Sequence, residues 1–113
     1  MFHLHDKLQY YLYPGGIDMR KSFYTLSGIV SSVMKRDVRS GEAFIFVNRS
    51  ATIMKILHLE HGGLVIYHKR LENGVFSLPS FDDENAASIS IGWPDLMLMI
   101  QQVKVRRQYL KRH

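Results

Sequence analysis

The sequence predicts an α+β fold, in which an antiparallel β-meander of about five to six strands is packed by one helix in the N-terminal half and a C-terminal helix. Residues 53–78 alternate in polarity and are divided by two turn signals, His-Gly-Gly and Asn-Gly. Two other segments carry apolar residues at helical spacing. Because most strands follow one another directly, antiparallel pairing is favoured. We expect residues 1–113 to form one domain.

The N-terminal part predicts a strand followed by a helix. Gln9–Tyr13 is rich in aromatic residues and ends at Pro-Gly-Gly, which is typical of a strand before a turn. Asp18 is a good N-cap, and we expect a helix from there to about Met34. Gly28 lies within the apolar stripe of this helix and indicates a close approach to the sheet. The stripe comprises Phe23, Leu26, Ile29, Val30 and Val33.

A second strand is predicted at Ala43–Val47, and the meander follows it. In the first hairpin, a two-residue loop at His61-Gly62 pairs Lys55 with His68 and Leu57 with Ile66, whereas a three-residue loop would shift this register. Asn73-Gly74 predicts a type I′ turn, because that turn needs positive φ at both central residues. The turn would start a third meander strand at Val75–Leu78.

Side-chain alternation assigns the meander residues to two faces. One face is a predicted core wall, interrupted by His58 and by Lys69, which we expect to snorkel to solvent or to pair with Asp18. The core wall comprises Met54, Ile56, Val65, Tyr67, Leu71, Phe76 and Leu78. The opposite face brings together Lys55, His68 and Arg70.

The C-terminal third predicts an acidic loop, a short strand and a basic helix. The loop contains Asp82-Asp83-Glu84, and Ser88–Ile91 alternates like an edge strand. Pro94 suits the first turn of a helix that we expect to span residues 94–112. The cations from Lys104 to Arg112 either lie along a phosphate backbone or form a solvated helix face.

Composition favours a cytoplasmic protein with polyanionic partners. The chain has 15 Lys and Arg against 10 Asp and Glu, a net charge of +5 and a pI near 9.6. Such a surplus favours nucleic acid through the release of counterions. The absence of cysteine fits a reducing compartment, and we see neither an apolar signal segment nor a stretch of the ~20 apolar residues that a membrane span needs.

Two cations occupy the first turn of the first predicted helix, where unpaired N–H groups favour anions. Arg20 and Lys21 would each oppose the helix dipole by about 0.3–1 kcal/mol. This placement favours the binding of a phosphate at that end of the helix. The alternative is structural: Arg20 folds back onto Asp18 or onto an acid in the sheet, and Lys21 is merely solvated.

A second group of cations lies on neighbouring strand positions. A cationic β-surface fits a nucleic-acid backbone, because an Arg side chain can fork onto a phosphate. In the alternative interpretation Arg70 pairs with Glu72, Lys55 pairs with Glu60, and the Lys stems cover apolar surface. The group comprises Lys55, His68, Lys69 and Arg70.

The sequence carries no recognisable catalytic motif. It has no nucleophile elbow, no glycine-rich phosphate loop and no cysteine nucleophile. His58 and His61 fall on a strand and its turn, not at the i, i+4 spacing of a helical zinc motif. A metal-dependent nuclease would need two carboxylates near a lysine, for which Asp18, Glu72 and Lys69 are the candidates. We predict no enzyme activity, no cofactor and no metal site.

The same residues carry a resemblance to a known family. They include Gly16-Ile17-Asp18-Met19-Arg20-Lys21-Ser22-Phe23, Phe44-Ile45-Phe46 and Tyr67-His68-Lys69-Arg70-Leu71-Glu72-Asn73-Gly74-Val75-Phe76. Residues 9–79 resemble the Orf-two (TnpB-type) accessory proteins of IS-66-class insertion sequences. The family's motif residues found here are Asp18, Arg20, Lys21, Arg49, Lys55, Lys69, Arg70 and Glu72. At His58, Leu59 and His68 the family usually has aromatic residues, which weakens an argument for base stacking there.

The resemblance implies a small protein encoded beside a larger transposase and involved in moving the element, with no known catalytic activity. We expect a non-catalytic accessory factor whose cations meet on one surface that engages DNA phosphates or the transposase. That site would comprise Arg20, Lys21, Arg49, Lys55, Lys69 and Arg70, with Asp18, Glu72 and Gly74 in structural roles. Two alternatives stay open: a protein that bridges transposase subunits without nucleic acid, and a small metal-dependent nuclease.

Overall fold

The computed structural model describes residues 3–80 and 86–101. Within them, five strands and two helices follow in the order β1, α1, β2, β3, β4, β5, α2. The strands are β1 (Tyr10–Leu12), β2 (Ala43–Val47), β3 (Ile53–Glu60), β4 (Gly63–Arg70) and β5 (Ile89–Ile91), and the helices are α1 (Phe23–Ser32) and α2 (Trp93–Ile100). The predicted acidic residues 82–84 and the predicted basic helix beyond residue 101 lie outside the described residues.

The five strands form one sheet in the order β4-β3-β2-β1-β5, and the predicted α+β class is confirmed. Strands β2, β3 and β4 are consecutive and antiparallel, as in a meander, and β5 pairs antiparallel with β1. The pair β1–β2 is parallel, which departs from the wholly antiparallel expectation. The reason is the connection: α1 lies between these strands in sequence and carries the chain back to the same end of the sheet.

The first predicted hairpin has the two-residue register. Lys55 pairs with His68 and Leu57 with Ile66. The turn residues His61 and Gly62 have φ of 50° and 82°, so both adopt the left-handed conformation that a type I′ turn requires. The two-residue loop, not the three-residue one, therefore fixes which side chains share a face.

The third meander strand is not formed. Gly74 has φ of 77°, but Asn73 has no positive φ, so the predicted type I′ turn is absent. The chain instead crosses the β2–β3 connection, where the Phe76 N–H donates to the carbonyl of Ala51 at 2.7 Å. Phe76 is 2% exposed, and its burial explains why this segment lies against the core instead of pairing with β4.

A hydrophobic layer covers each face of the sheet. On one face, here the α1 face, the helix packs Leu26 and Val30 against β2 and β3. On the other, here the α2 face, Leu96 and Met99 of α2 are buried against strand residues. Every residue of β2 is buried, because this strand is interior to the sheet and covered on both sides. Neither described helix is long and apolar enough to cross a membrane.

Helix α1 differs from its prediction in two respects. It begins at Phe23 with Ser22 as N-cap, not at Asp18. The predicted close approach at Gly28 is also wrong, because Gly28 is exposed and a Cβ built there would meet no atom within 4 Å. Gly28 lies on the outer side of the helix, while Leu26 and Val30 face the sheet with no exposed surface.

Candidate nucleic-acid interface

The loop at residues 18–22 precedes α1 and carries two of the predicted site cations. The Asp18 carboxylate accepts the Arg20 backbone N–H at 2.9 Å, and Arg20 Nη2 lies 2.6 Å from its Oδ2. The hydrogen bonds from Arg20 hold the pKa of Asp18 well below its ordinary range. Arg20 therefore folds back onto Asp18, as the structural alternative predicted, yet its side chain remains 90% exposed. Since Arg20 and Lys21 precede the helix, they do not oppose its dipole from the first turn.

Lys55 holds this loop against the sheet. Its Nζ donates to the carbonyl of Met19 at 2.8 Å and to that of Lys21 at 2.7 Å. The residue is 7% exposed and lies on β3 with its side chain on the α1 face. The sequence had suggested that Lys55 is a surface cation or pairs with Glu60. The structure shows neither arrangement. Its ammonium instead binds two carbonyls of the loop that presents Arg20 and Lys21.

Strand register places Arg70 on the same side of the sheet as Lys55. Arg70 pairs with Ile53, and strand alternation gives Ile53, Lys55 and Leu57 one face. His68, the partner of Lys55, is exposed two residues before Arg70. Two residues along a strand span about 6.8 Å, so His68 and Arg70 are neighbours on this side of β4.

Arg49 borders the same loop. It lies in the turn between β2 and β3, and a Cβ built on Gly16 would be 3.0 Å from the Arg49 Cα, so the two backbones are in contact there. The Ile17 N–H donates to the carbonyl of Val47 at 3.2 Å and holds the loop at the end of β2. We call the exposed cations at this end of the sheet the basic surface: Arg20, Lys21, Arg49 and Arg70.

Lys69 lies on the opposite side of the sheet from the basic surface. It pairs with Met54, a core residue of the α2 face, and its Nζ donates to the carbonyl of Ile100 at the end of α2 at 3.3 Å. The expectation that Lys69 shares a surface with Arg70 is therefore wrong, because consecutive strand residues point to opposite faces. Lys69 is exposed, but its ammonium donates a hydrogen bond to a carbonyl oxygen in the last turn of α2.

Among residues 3–80 and 86–101, Arg20 is the member of the basic surface that pairs with a carboxylate. The described residues form three ion pairs: Asp18–Arg20, Arg36–Glu42 and His58–Glu60. Only the first of these involves the basic surface. Arg36 is by contrast a structural cation, since it bonds Glu42 through Nε and Nη2 and its guanidinium lies 3.6 Å from the centre of the Tyr11 ring.

Sequence reasoning did not predict that two aromatic residues next to the basic surface are exposed. Tyr24 is 93% exposed and Phe23 is 44% exposed. Phe23 belonged to the predicted apolar stripe, but it is the first residue of the helix and is not among its buried residues. Helical phase relative to Leu26 would have placed Tyr24 outward.

A buried polar cluster at the other end of the sheet was also missed. His58 Nδ1 lies 2.9 Å from Glu60 Oε2, and its Nε2 lies 3.1 Å from the carbonyl oxygen of Gly41. The Tyr67 hydroxyl donates to the same Glu60 oxygen at 2.6 Å. Burial alone raises the pKa of Glu60, but the hydrogen bonds from Tyr67 and His58 outweigh it, so this pKa lies below its ordinary value. The cluster holds the β3–β4 hairpin together through interactions that the sequence pattern did not specify.

The nuclease constellation does not assemble. Asp18 is bonded to Arg20 above the α1 face, whereas Lys69 lies on the α2 face. Across residues 3–80 and 86–101, no group of three or more His, Asp or Glu side chains could hold a metal ion.

The fold and the site define a small α+β protein with an exposed basic surface at one end of its sheet. The chain belongs to the IS66 Orf2-like family, because the family model TnpB_IS66, "IS66 Orf2 like protein", matches residues 8–109. The match extends beyond residues 9–79, over which the sequence resemblance was identified. The family places the chain among the accessory proteins of insertion sequences.

One similar protein is the "uncharacterized protein y4hO" of Sinorhizobium fredii (strain NBRC 101917 / NGR234). The two are 32% identical over 75 residues, which cover 66% of this chain and 65% of the relative. The chain thus spans slightly less than two thirds of that relative's length. No solved structure matches the chain.

Proposed function

We propose that this protein is a cytoplasmic, non-catalytic accessory factor of transposition that binds DNA phosphates through the basic surface. The single observation that supports this most is the placement of four exposed cations from three separate segments at one end of the sheet. Family membership supplies the biological context of an insertion sequence.

The energetics of the basic surface favour a ligand of opposite charge. The other three cations have no carboxylate partner within the described part of the chain, and even the Asp18–Arg20 pair is exposed, where ion pairs contribute little to stability. A phosphate backbone offers these side chains charge-assisted hydrogen bonds and releases its condensed counterions. Arg20 retains N–H groups beyond the Nε and Nη2 that bind Asp18, so the pair fixes its orientation without using all its donors.

Lys55 gives the basic surface its shape. By binding the carbonyls of Met19 and Lys21, it ties the cationic loop to a buried position on β3. A loop held before binding loses less conformational entropy when it meets DNA. In this proposal Lys55 is a positioning residue and does not contact phosphate.

The test compares two neighbouring cations on one strand. Arg70→Ala and Lys69→Ala each remove one positive charge from β4, but only Arg70 belongs to the basic surface. Binding of a labelled DNA duplex is titrated at several salt concentrations. We expect Arg70→Ala to weaken binding and to reduce the slope of log K against log salt by about 1, and Lys69→Ala to leave the slope unchanged.

Equal effects of the two substitutions would contradict the proposal, because net charge alone would then account for binding. Absence of salt-dependent DNA binding by the unsubstituted protein would contradict it as well and would favour the alternative of a protein bridge. Pull-down of the co-encoded transposase, with and without DNA of the element ends, separates these two: a bridge captures transposase without DNA.

A further inference from the structure

The start of α1 exposes an aromatic ring that the folded chain does not use. Tyr24 is 93% exposed, and Phe23 beside it is 44% exposed. Burying a large aromatic side chain contributes strongly to stability or binding, so nearly complete exposure of Tyr24 leaves that contribution available to a ligand. Lys21 precedes the two rings by two and three residues and Arg20 precedes Lys21, so the rings directly border the basic surface.

The helix surface beyond Tyr24 is open. The exposed positions one and two turns further along are Gly28 and Ser31, neither of which carries a large side chain. A Cβ at Gly28 would still meet nothing within 4 Å. These positions line a shallow groove of about 660 Å³, whose lining also includes Tyr24 at the start of α1 and Arg39 beyond its end.

The far end of the groove is polar. Arg39 is exposed there, while the neighbouring Asp37 carboxylate accepts the Arg39 backbone N–H at 2.8 Å. Asp37 is the acidic side chain among the groove-lining residues, and it lies away from Tyr24 and the basic surface. At the Tyr24 end, the exposed ring directly follows Arg20 and Lys21 in sequence, whereas the far end has one cation and one acid.

We infer that the basic surface and Tyr24 together bind single-stranded DNA, with a base stacked on the Tyr24 ring and the neighbouring phosphates on Arg20 and Lys21. This inference rests on the proposed function and names its substrate more closely. In a duplex each base is covered by its neighbours, so a protruding ring has no base face to contact. An unpaired strand offers both base faces and phosphates, and positively charged grooves with aromatic side chains are the usual means of binding it without sequence preference.

The test uses three substitutions at and beside the ring. Tyr24→Ala removes the ring, Tyr24→Phe retains it without the hydroxyl, and Arg20→Ala removes a phosphate contact. Fluorescence anisotropy measures binding of a labelled oligothymidylate and of a duplex of equal length at one salt concentration. We expect Tyr24→Ala to weaken single-strand binding about tenfold, and Tyr24→Phe to bind like the unsubstituted protein. Duplex binding should change less than about twofold with Tyr24→Ala, whereas Arg20→Ala should weaken both.

Because Tyr24 is exposed, its substitution is not expected to unfold the protein, and circular dichroism of each variant checks this. Unchanged single-strand binding by Tyr24→Ala, or equal losses in Tyr24→Ala and Tyr24→Phe, would overturn the inference. The proposed function would survive that result if duplex binding still followed Arg70. Tighter binding of an oligouridylate RNA than of the DNA strand would overturn the assignment to DNA. So would a loss of purified-transposase capture by Tyr24→Ala with DNA binding unchanged, since Tyr24 would then contact protein.

Discussion

At the scale of single residues, the position of a cation relative to the sheet decides what it does. Lys55, Lys69 and Arg70 have similar charges and lie on two paired strands, yet one binds the loop, one binds the end of α2 and one is exposed beside the loop. Strand alternation predicts from sequence that Lys69 and Arg70 face opposite sides, and the register confirms it. Which face a loop would cover depends on the path of the 18–22 segment, and no local pattern specifies that path.

Lys55→Met should destabilise the protein and loosen the basic surface. Methionine fills a similar volume, but the carbonyls of Met19 and Lys21 lose their shared donor, which we expect to lower the free energy of unfolding by about 1–3 kcal/mol. Urea unfolding measures the change. Lys7→Met, at an exposed position, is the matched control and should change stability by less than about 0.5 kcal/mol. An equally small change for Lys55→Met would show that these two bonds do not hold the loop.

Glu60 should contribute to the acid sensitivity of the fold. Its pKa in the folded protein lies below the ordinary value, so its stabilising effect is complete above the unfolded-state pKa of about 4.3 and is lost as the pH falls toward the folded-state pKa. Urea unfolding at about pH 5.5 and about pH 3.5 measures this loss. We expect a smaller loss in Glu60→Gln than in the unsubstituted protein. Glu72→Gln, on an exposed side chain, should retain the full loss; identical pH dependence of all three proteins would exclude the contribution of Glu60.

At the scale of elements, the segments with strong local signals were predicted well. Strand β2 has the predicted bounds, and the first hairpin has the register that a two-residue loop requires. The start of α1 was predicted too early because Asp18 is a good N-cap by residue type, whereas its carboxylate caps a turn that contains Arg20. Asn73-Gly74 likewise has hairpin composition, but burial of Phe76 directs the chain elsewhere. In the first case a different local contact replaces the expected cap, and in the second a tertiary contact outweighs a local preference.

Gly28→Ala should stabilise helix α1. Gly28 lies inside the helix on its outer side, and an added Cβ meets nothing within 4 Å. Alanine has a higher helix propensity than glycine, so we expect the free energy of unfolding to rise by about 0.5–1 kcal/mol. Urea unfolding measures it, and Gly62→Ala serves as contrast: Gly62 has φ of 82°, so alanine there should destabilise. A destabilising Gly28→Ala would indicate that this position does contact another part of the chain.

At the scale of the whole molecule, the two faces of the sheet differ in what covers them at the β4 end. On the α2 face, Lys69 contacts the Ile100 carbonyl. The cations of the basic surface, in contrast, are exposed to solvent. The parallel pairing of β1 with β2 underlies this difference, because it brings the loops that follow both strands to one end of the sheet. These loops supply Arg20, Lys21 and Arg49. Sequence reasoning found the cations but not the parallel pair, since pairing between distant segments leaves no local signal.

This asymmetry predicts a one-sided footprint of DNA on the protein. Amide hydrogen exchange, followed by mass spectrometry with and without a DNA duplex, should slow at residues 16–24 and 68–72 and stay unchanged at residues 93–100 of α2. Strand β2 serves as the internal control: all its residues are buried, so its exchange is already slow and cannot report contact directly. Slowing at α2 equal to that at the basic surface would instead mean that DNA stabilises the whole fold or binds without regard to face. Because bound DNA restricts opening only where it contacts the chain, protection limited to the α1 side is the result that the basic surface requires.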